Sequence, residues 1–188
     1  EEGTPLWEYR EFANLADDNT QADMYLAAVE ILAKAGYEQY EISNFALPGH
    51  RARHNSAYWN HSRYLGLGPG AHGFLDGRRF WNNPSLESYL QAAADGDFTA
   101  VRGFEDLTPD QVVLERVMLG LRTSDGVDAD FLRTHCDAPA LASALAAGDL
   151  VPCGLSGAPS VTSAPSVTRL RIPESRFFVS DAIISELV

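Results

Sequence analysis

Apolar residues recur at Ala22, Tyr25, Leu26, Val29, Leu32 and Ala33, the spacing of one helical face, and Gly36 closes that helix. Upstream, residues 1–19 are polar with scattered apolar and aromatic positions (Leu6, Trp7, Tyr9, Phe12) and read as a loop with a short helical turn. Asp17-Asp18-Asn19-Thr20 supplies the N-cap, with Asp23 three residues after Thr20 in the manner of a capping box. In residues 37–43 aromatic and branched positions alternate with polar ones, which predicts a strand. A helix running tightly into a strand is half of an α/β repeat, and such a unit buries both faces only in a larger sheet. Pro48-Gly49 predicts a turn, 54–64 a short helix or irregular loop, and 64–75 extended chain. Asp76-Gly77, between Phe74-Leu75 and Phe80-Trp81, predicts a hairpin with a type I′ turn. Asn83-Pro84-Ser85 caps a helix over 85–95, ended by Gly96.

The pattern changes near residue 103. Thr108 as N-cap and Pro109 at the first position open a helix whose apolar face is Val112, Val113, Val117, Leu119 and Leu121. Further helices are predicted over 128–135 and 138–147. Leu150-Val151 and residues 167–172 read as the strands of a hairpin, with a flexible tip at 154–159 and a Ser-Val-Thr repeat beside it. From Pro173 a closing helix carries Phe177, Phe178, Ile183, Ile184 and Leu187. Three helices, a hairpin and a closing helix make a winged-helix-like module. The fold class is α+β in three parts: 1–47, 48–103 and 104–188.

With 45% hydrophobic residues in 188, the chain has enough apolar material for a packed core. A net charge of -12 repels nucleic acid and anionic lipid unless a local patch overrides it. From Phe104 onward acids outnumber bases, so the winged-helix-like module reads as a docking or lid element rather than a DNA binder. No apolar run reaches the ~18–20 residues of a transmembrane helix, and no signal peptide is evident. Two cysteines make no disulfide framework, which points to the cytoplasm. The opening Glu1-Glu2-Gly3-Thr4-Pro5, without Met, reads as the interior of a longer protein.

Residues 37–81 hold four of the five histidines, two of the three tryptophans and a glycine-rich run, which makes this the stretch most suited to a ligand. His50, His54 and His61 raise a zinc site, but no Cys or carboxylate falls at ligand spacing, and solvated loop histidines are the plainer reading. A single His beside Tyr and Trp could instead hold a flat ligand: His ligates haem iron and aromatics stack on a macrocycle. The run Gly66-Leu67-Gly68-Pro69-Gly70-Ala71 lacks the spacing of a dinucleotide or P-loop cradle. It reads either as close packing against a ligand or sheet, or as tight turns. Arg51, Arg53 and Arg63 form a local basic cluster that could pair with propionates, or with Glu38 and Glu41 as surface ion pairs. His135-Cys136 and Cys153 read as structural.

Three blocks of sequence carry a family resemblance. They are Tyr40-Glu41-Ile42-Ser43-Asn44-Phe45-Ala46, then His54-Asn55-Ser56-Ala57-Tyr58-Trp59 preceded by Arg53, and Tyr64-Leu65-Gly66-Leu67-Gly68-Pro69-Gly70-Ala71-His72. Together they resemble the C-terminal part of the HemW-type radical S-adenosylmethionine proteins, haem chaperones related to oxygen-independent coproporphyrinogen III oxidase. The resemblance implies the last helix–strand part of a radical S-adenosylmethionine (β/α) barrel, followed by the helical C-terminal domain. It implies haem held by His54, Asn55, Tyr58 and Trp59, with His54 at the metal, Arg51 or Arg53 near the propionates, and His72 lining the cavity. It implies as partners the missing N-terminal barrel half and haem-accepting apoproteins. In the family a [4Fe-4S] cluster, held by Cys-x-x-x-Cys-x-x-Cys, acts with S-adenosylmethionine. This chain has no such motif and should not cleave S-adenosylmethionine by itself. Two alternatives stand beside the chaperone: a coproporphyrinogen III oxidase that decarboxylates propionates in porphyrin biosynthesis, and a non-catalytic interaction module.

Overall fold

The computed structural model describes residues 2–13, 15–154 and 168–188. The predicted loop tip beyond Gly154, the Ser-Val-Thr repeat up to Val167 and the first residue of the second hairpin strand lie outside the described residues.

A short helix α1, Pro5–Glu8, is capped by Thr4. Helix α2, Asp18–Lys34, begins one residue after Asp17, whose carboxylate accepts the Thr20 N–H at 2.7 Å. Thr20 is therefore inside the helix, and the box with Asp23 does not form. Gly36 (φ +84) ends it as predicted: the Gly36 and Tyr37 N–H groups donate to the Ala33 and Leu32 carbonyls, each at 3.0 Å. Only a narrow stripe of α2 is covered. Ala22, Tyr25, Val29 and Leu32 are half-buried, while Leu26 and Ala33 are exposed.

The predicted strand over 37–43 stops early. Strand β1 is Glu38–Glu41 and turns at once into β2, Asn44–Ala46, its antiparallel partner. The neighbour of β1 among the described residues is thus a hairpin strand, not a parallel one. The Ile42 carbonyl accepts from Tyr25 Oη at 3.0 Å and Gln39 Nε2 at 3.0 Å, which ties the turn to α2.

Helix α3, Arg53–Trp59, follows the Pro48-Gly49 turn. Strands β3 (His72–Leu75), β4 (Arg78–Asn82) and β5 (Arg102–Asp106) form an antiparallel sheet in that order. Asp76 (φ +53) and Gly77 (φ +81) make the predicted two-residue turn. Helix α4, Leu86–Asp95, has the predicted Ser85 cap and ends at Gly96 (φ +69). Strand β5 was not expected, and its pairing with β4 runs across residue 103.

Helix α5, Pro109–Gly120, opens with a full capping box between Thr108 and Gln111. Then come β6 (Val127–Asp128), α6 (Ala129–His135), α7 (Ala138–Ala147), β7 (Val151–Cys153), β8 (Arg169–Arg171), a 3₁₀ turn over Glu174–Val179 and α8 (Ser180–Leu187). The sheet order is β6-β8-β7, with the two-residue β6 not visible in the pattern. The predicted closing helix starts as a 3₁₀ turn, so Phe177 is fully buried while Phe178 faces out. The main core lies here, around Leu121, Leu132, Leu150, Ile172, Phe177 and Leu187. Whatever the N-terminal part does, its α1 and α2 contain no fully buried residue. Chain 38–51 is joined to the C-terminal module by a Ser124 N–H to Tyr40 carbonyl bond of 3.0 Å and by Arg51 to Asp125 at 3.0 Å. No helix among the described residues is long and apolar enough to cross a membrane.

Candidate functional site

Helical spacing divides α3 into two working sides. His54 and Tyr58, four residues apart, share one side, and Asn55 and Trp59 share the next. On the first side His54 is exposed, its Nε2 lies 2.7 Å from the Tyr58 hydroxyl, and the rings meet edge to face. Tyr58 in turn meets Tyr64 edge to face at 4.5 Å. Burial pushes the Tyr64 phenol above its ordinary value, with the Tyr58 oxygen adding to the shift.

Tyr64 is bound to the β3–β4–β5 sheet by a backbone bridge to Phe74, with both N–H···O distances 2.9 Å. Residues directly opposite in neighbouring strands share a face, and so do residues two apart in one strand. The register His72↔Trp81↔Gly103 and Phe74↔Arg79↔Glu105 therefore places two rows on one face of the sheet. Tyr64, opposite Phe74, joins the same face. A Cβ on Gly103 would stand 2.4 Å from the Trp81 ring, so the indole lies down over β5. A Cβ on Gly66 would stand 2.0 Å from the His72 carbonyl oxygen. The His72 and Trp81 rings are inclined by 28° with centroids 6.1 Å apart. The rings of His72 and Trp81 and the series Tyr64, Tyr58 and His54 together make an aromatic shelf on this side of the sheet.

The two open readings of the glycine run divide by position. Gly66 serves close packing against the sheet. Gly68 (φ +104) and Gly70 (φ +69) serve turns, with the Gly68 N–H donating to the Tyr89 hydroxyl at 3.0 Å.

On the other side of α3, Asn55 Nδ2 reaches the Tyr40 hydroxyl at 3.3 Å and Glu41 Oε1 at 3.4 Å. Glu41 is fully buried and also accepts from the Ser43 N–H at 3.0 Å and the Asn44 side chain. Asn55 thus fastens α3 to the β1–β2 turn. Trp59 lines a cleft of about 190 Å³ together with Arg51, Asn60, His61, Arg116 and Arg169. That is below the roughly 300–1,000 Å³ of a small-molecule site, so the cleft admits a substituent rather than a macrocycle. Arg51 is engaged with Asp125 and lies over the Tyr40 ring. Arg63 pairs with Asp76. Arg53 is exposed and has no ion pair among the described residues.

The seven expected site residues thus do not converge on one pocket. His54, Tyr58 and His72 flank the shelf, Trp59 and Arg51 line the cleft, Asn55 anchors the helix and Arg53 stands free. Tyr64 and Trp81 complete the shelf without having been singled out from sequence.

His61 (φ +59) closes the row at Phe74: its ring lies 4.5 Å from Phe74 and its Nε2 2.9 Å from Glu115. Glu115 also accepts from Arg79. Burial raises the Glu115 carboxyl, but the bonds from His61 and Arg79 outweigh it and hold the group below its ordinary value of 4.5. A depressed carboxylate contributes stability that is present above its unfolded pKa and lost as pH falls through the folded one. Thermal melts of the parent chain should therefore fall more steeply below pH 4.5 than those of Glu115→Gln; parallel curves would remove Glu115 from the contact.

Among the described residues no three His, Cys, Asp or Glu side chains are grouped to hold a metal ion, so His50, His54 and His61 make no zinc-type cluster. Cys136 and Cys153 are unpaired and sit in different elements, and burial pushes both thiols up. An iron–sulfur cluster needs several thiolates, and these residues do not fit one.

No family model matches the sequence. Over 119 residues it is 41% identical to the heme chaperone HemW of Lactococcus lactis subsp. lactis, covering 63% of this chain and 30% of that protein. It is 38% identical over 123 residues to HemW of Synechocystis sp., covering 64% and 30%. Over 114 residues it is 35% identical to HemW of Bacillus subtilis, covering 61% and 30%. The chain thus spans about 30% of the length of these curated relatives. In fold it is similar to coproporphyrinogen III oxidase (HemN) from Escherichia coli, described as a radical SAM enzyme. The TM-score is 0.59 at 16% identity, covering 92% of this chain and 42% of that one.

Proposed function

We propose that this chain, a HemW-type segment by its sequence, holds haem for delivery to haem proteins, with His54 as the residue at the iron. The observation that carries the reading is the His54–Tyr58 pair on the open side of α3. A histidine that ligates a metal through one ring nitrogen characteristically hydrogen-bonds through the other. The tautomer in which Nε2 donates to the Tyr58 oxygen leaves the Nδ1 lone pair for a metal. Bound haem would supply an iron that takes a histidine ligand and a flat hydrophobic face. Tyr58 fixes the His54 tautomer, and Asn55 holds α3 in place from behind. Arg53, unlike Arg51, has no carboxylate partner among the described residues and is the better candidate for a propionate. Trp59 and Arg51 border the cleft at the edge of the site, and His72 belongs to the shelf.

The parent protein would carry the cluster and S-adenosylmethionine on chain that this sequence does not contain. Decarboxylation of coproporphyrinogen III would depend on that cluster, so the oxidase reading gains nothing from these residues. Residues 1–47 fit the last helix–strand part of a barrel: α2 leaves Met24 and Ile31 exposed, as a helix awaiting a further layer would. The middle part extends through β5 to residue 106. The order helix, strand, two helices, then two strands with β8 central supports a winged-helix-like C-terminal module for docking or as a lid. Two unpaired cysteines fit a cytoplasmic protein.

Haem titration followed at the Soret band tests the assignment. The parent chain should saturate, His54→Ala should bind at least about tenfold more weakly, and Tyr58→Phe should lie between them. A His54→Ala variant that titrates like the parent would overturn it.

A further inference from the structure

We infer that the cleft between α3 and the C-terminal module is a binding site for a small oxyanion, a carboxylate or phosphate group, gripped by Arg116 and Arg169. The site lies on the Trp59 side of α3, not on the side of the His54–Tyr58 pair, and does not rest on the haem reading.

Three arginines from separate elements line the cleft: Arg51 ahead of α3, Arg116 of α5 and Arg169 of β8. Arg51 is neutralised by Asp125 at 3.0 Å, with Glu38 at 4.0 Å. The other two have no carboxylate partner among the described residues. Arg169 donates through Nε to the Asp125 carbonyl at 2.7 Å and through Nη2 to the Gly126 carbonyl at 2.5 Å. Those carbonyls orient the guanidinium but leave its charge uncompensated, and they leave Nη1 to another acceptor. Arg116 lies over the Phe131 ring, with its guanidinium carbon 4.0 Å from the centroid. Stacking on the ring steadies the cation while its edge N–H groups stay available. The chain has 26 acids to 14 bases, so two arginines that find no carboxylate on one concave surface call for an explanation.

The acids of the cleft are already engaged. Glu41 accepts from Ser43, Asn44 and Asn55, and Asp125 holds Arg51. Asp128 caps α6 by accepting the Phe131 N–H at 2.9 Å. Donors are in surplus instead. Asn60 uses its Oδ1 on the Ser62 N–H, and neither its amide N–H groups nor the Trp59 indole N–H has an acceptor among the described residues. A surface of unspent donors and two uncompensated cations is matched by a group that only accepts. Carboxylate and phosphate are such groups, and a guanidinium meets them with paired, charge-assisted bonds. A cleft of about 190 Å³ suits one such group. Its walls come from α3 and from the C-terminal module, so the occupant would tie the two together.

An NMR titration of the whole chain with inorganic phosphate, at an ionic strength held constant with sodium chloride, tests this through the tryptophan indole signals. Of the three indoles, that of Trp59 should shift and saturate while those of Trp7 and Trp81 stay in place. Succinate in place of phosphate separates the two sources of the oxyanion, and a saturable Trp59 shift with either supports the site. Arg116→Gln removes the charge at an exposed position and should weaken binding at least about tenfold. Arg169→Lys keeps the charge but loses the fork, and should weaken it about threefold or more. The haem affinity of Arg116→Gln should stay within about twofold of the parent, as for independent sites. A Trp59 signal that neither anion moves, equal movement of all three indoles, or a phosphate response that both variants leave intact overturns the site. A loss of haem binding in Arg116→Gln that parallels its loss of phosphate would give the cleft to haem and overturn a separate site. A parent chain that binds phosphate at Trp59 but no haem overturns the haem reading alone.

Discussion

Phe177→Ala should cost the C-terminal module about 3–5 kcal/mol, the usual range for emptying an aromatic site in a core. Phe177 is wholly buried in the core cluster that also holds Leu132, Leu150, Ile172 and Leu187. A small domain has about 5–15 kcal/mol of stability in all, so the variant should lie close to unfolding at room temperature. The next residue is the control. Phe178 is 51% exposed, with the Tyr25 ring 5.8 Å away, and Phe178→Ala should cost less than about 1.5 kcal/mol. Urea denaturation followed by circular dichroism separates the two. The contrast depends on the 3₁₀ turn over Glu174–Val179, which sets which phenylalanine faces inward. Equal losses at 177 and 178 would mean that the turn is wound differently.

The second large effect is at Glu41. Its carboxylate takes the Ser43 N–H, the Asn44 amide and, at longer range, the Asn55 amide, and nothing of it reaches solvent. Alanine at 41 leaves these donors facing a void. At about 1–3 kcal/mol for each well-made bond orphaned in the interior, the loss should be ~2–5 kcal/mol. The β1–β2 turn loosens with it, and so does the footing of α3. Haem affinity should therefore fall in Glu41→Ala although Glu41 lies on the far side of α3 from His54. Differential scanning calorimetry and the Soret titration, run on one preparation, check both halves. A melt unchanged from the parent would show that these bonds hold nothing together.

Much of this arrangement is visible in the sequence where the cause is local. Thr108-Pro109, Ser85 with Gly96, and Asp76-Gly77 carry their own capping or turn chemistry, and each forms as that chemistry dictates. The type I′ turn does more than close a hairpin. A two-residue loop pairs Leu75 with Arg78 and therefore His72 with Trp81, so the second half of the shelf follows from counting outward from Asp76-Gly77. Tyr64 had no such signal, because its bridge to Phe74 spans an irregular loop. Nor did the end of β1: the alternation runs on through Ser43, but the Glu41 carboxylate captures the Ser43 N–H and folds the chain back. Arg51 pairs with Asp125, which lies 74 residues away, beyond any pattern of spacing. Strand β6 is two residues long and exists only because Leu170 and Arg169 pair with it. The resemblance to HemW-type proteins was legible in the motifs, and the curated relatives agree with it.

On the proposed function haem lies against α3 and the β3–β4 face rather than elsewhere on the chain. The most direct test is an amide NMR titration of the folded chain with ferric haem, whose unpaired electrons broaden nearby resonances. Signals from residues 53–66 and 71–82 should disappear first, while those of α7, Ala138–Ala147, persist. Broadening centred on the C-terminal module, or none at all in a folded chain at saturating haem, would contradict it.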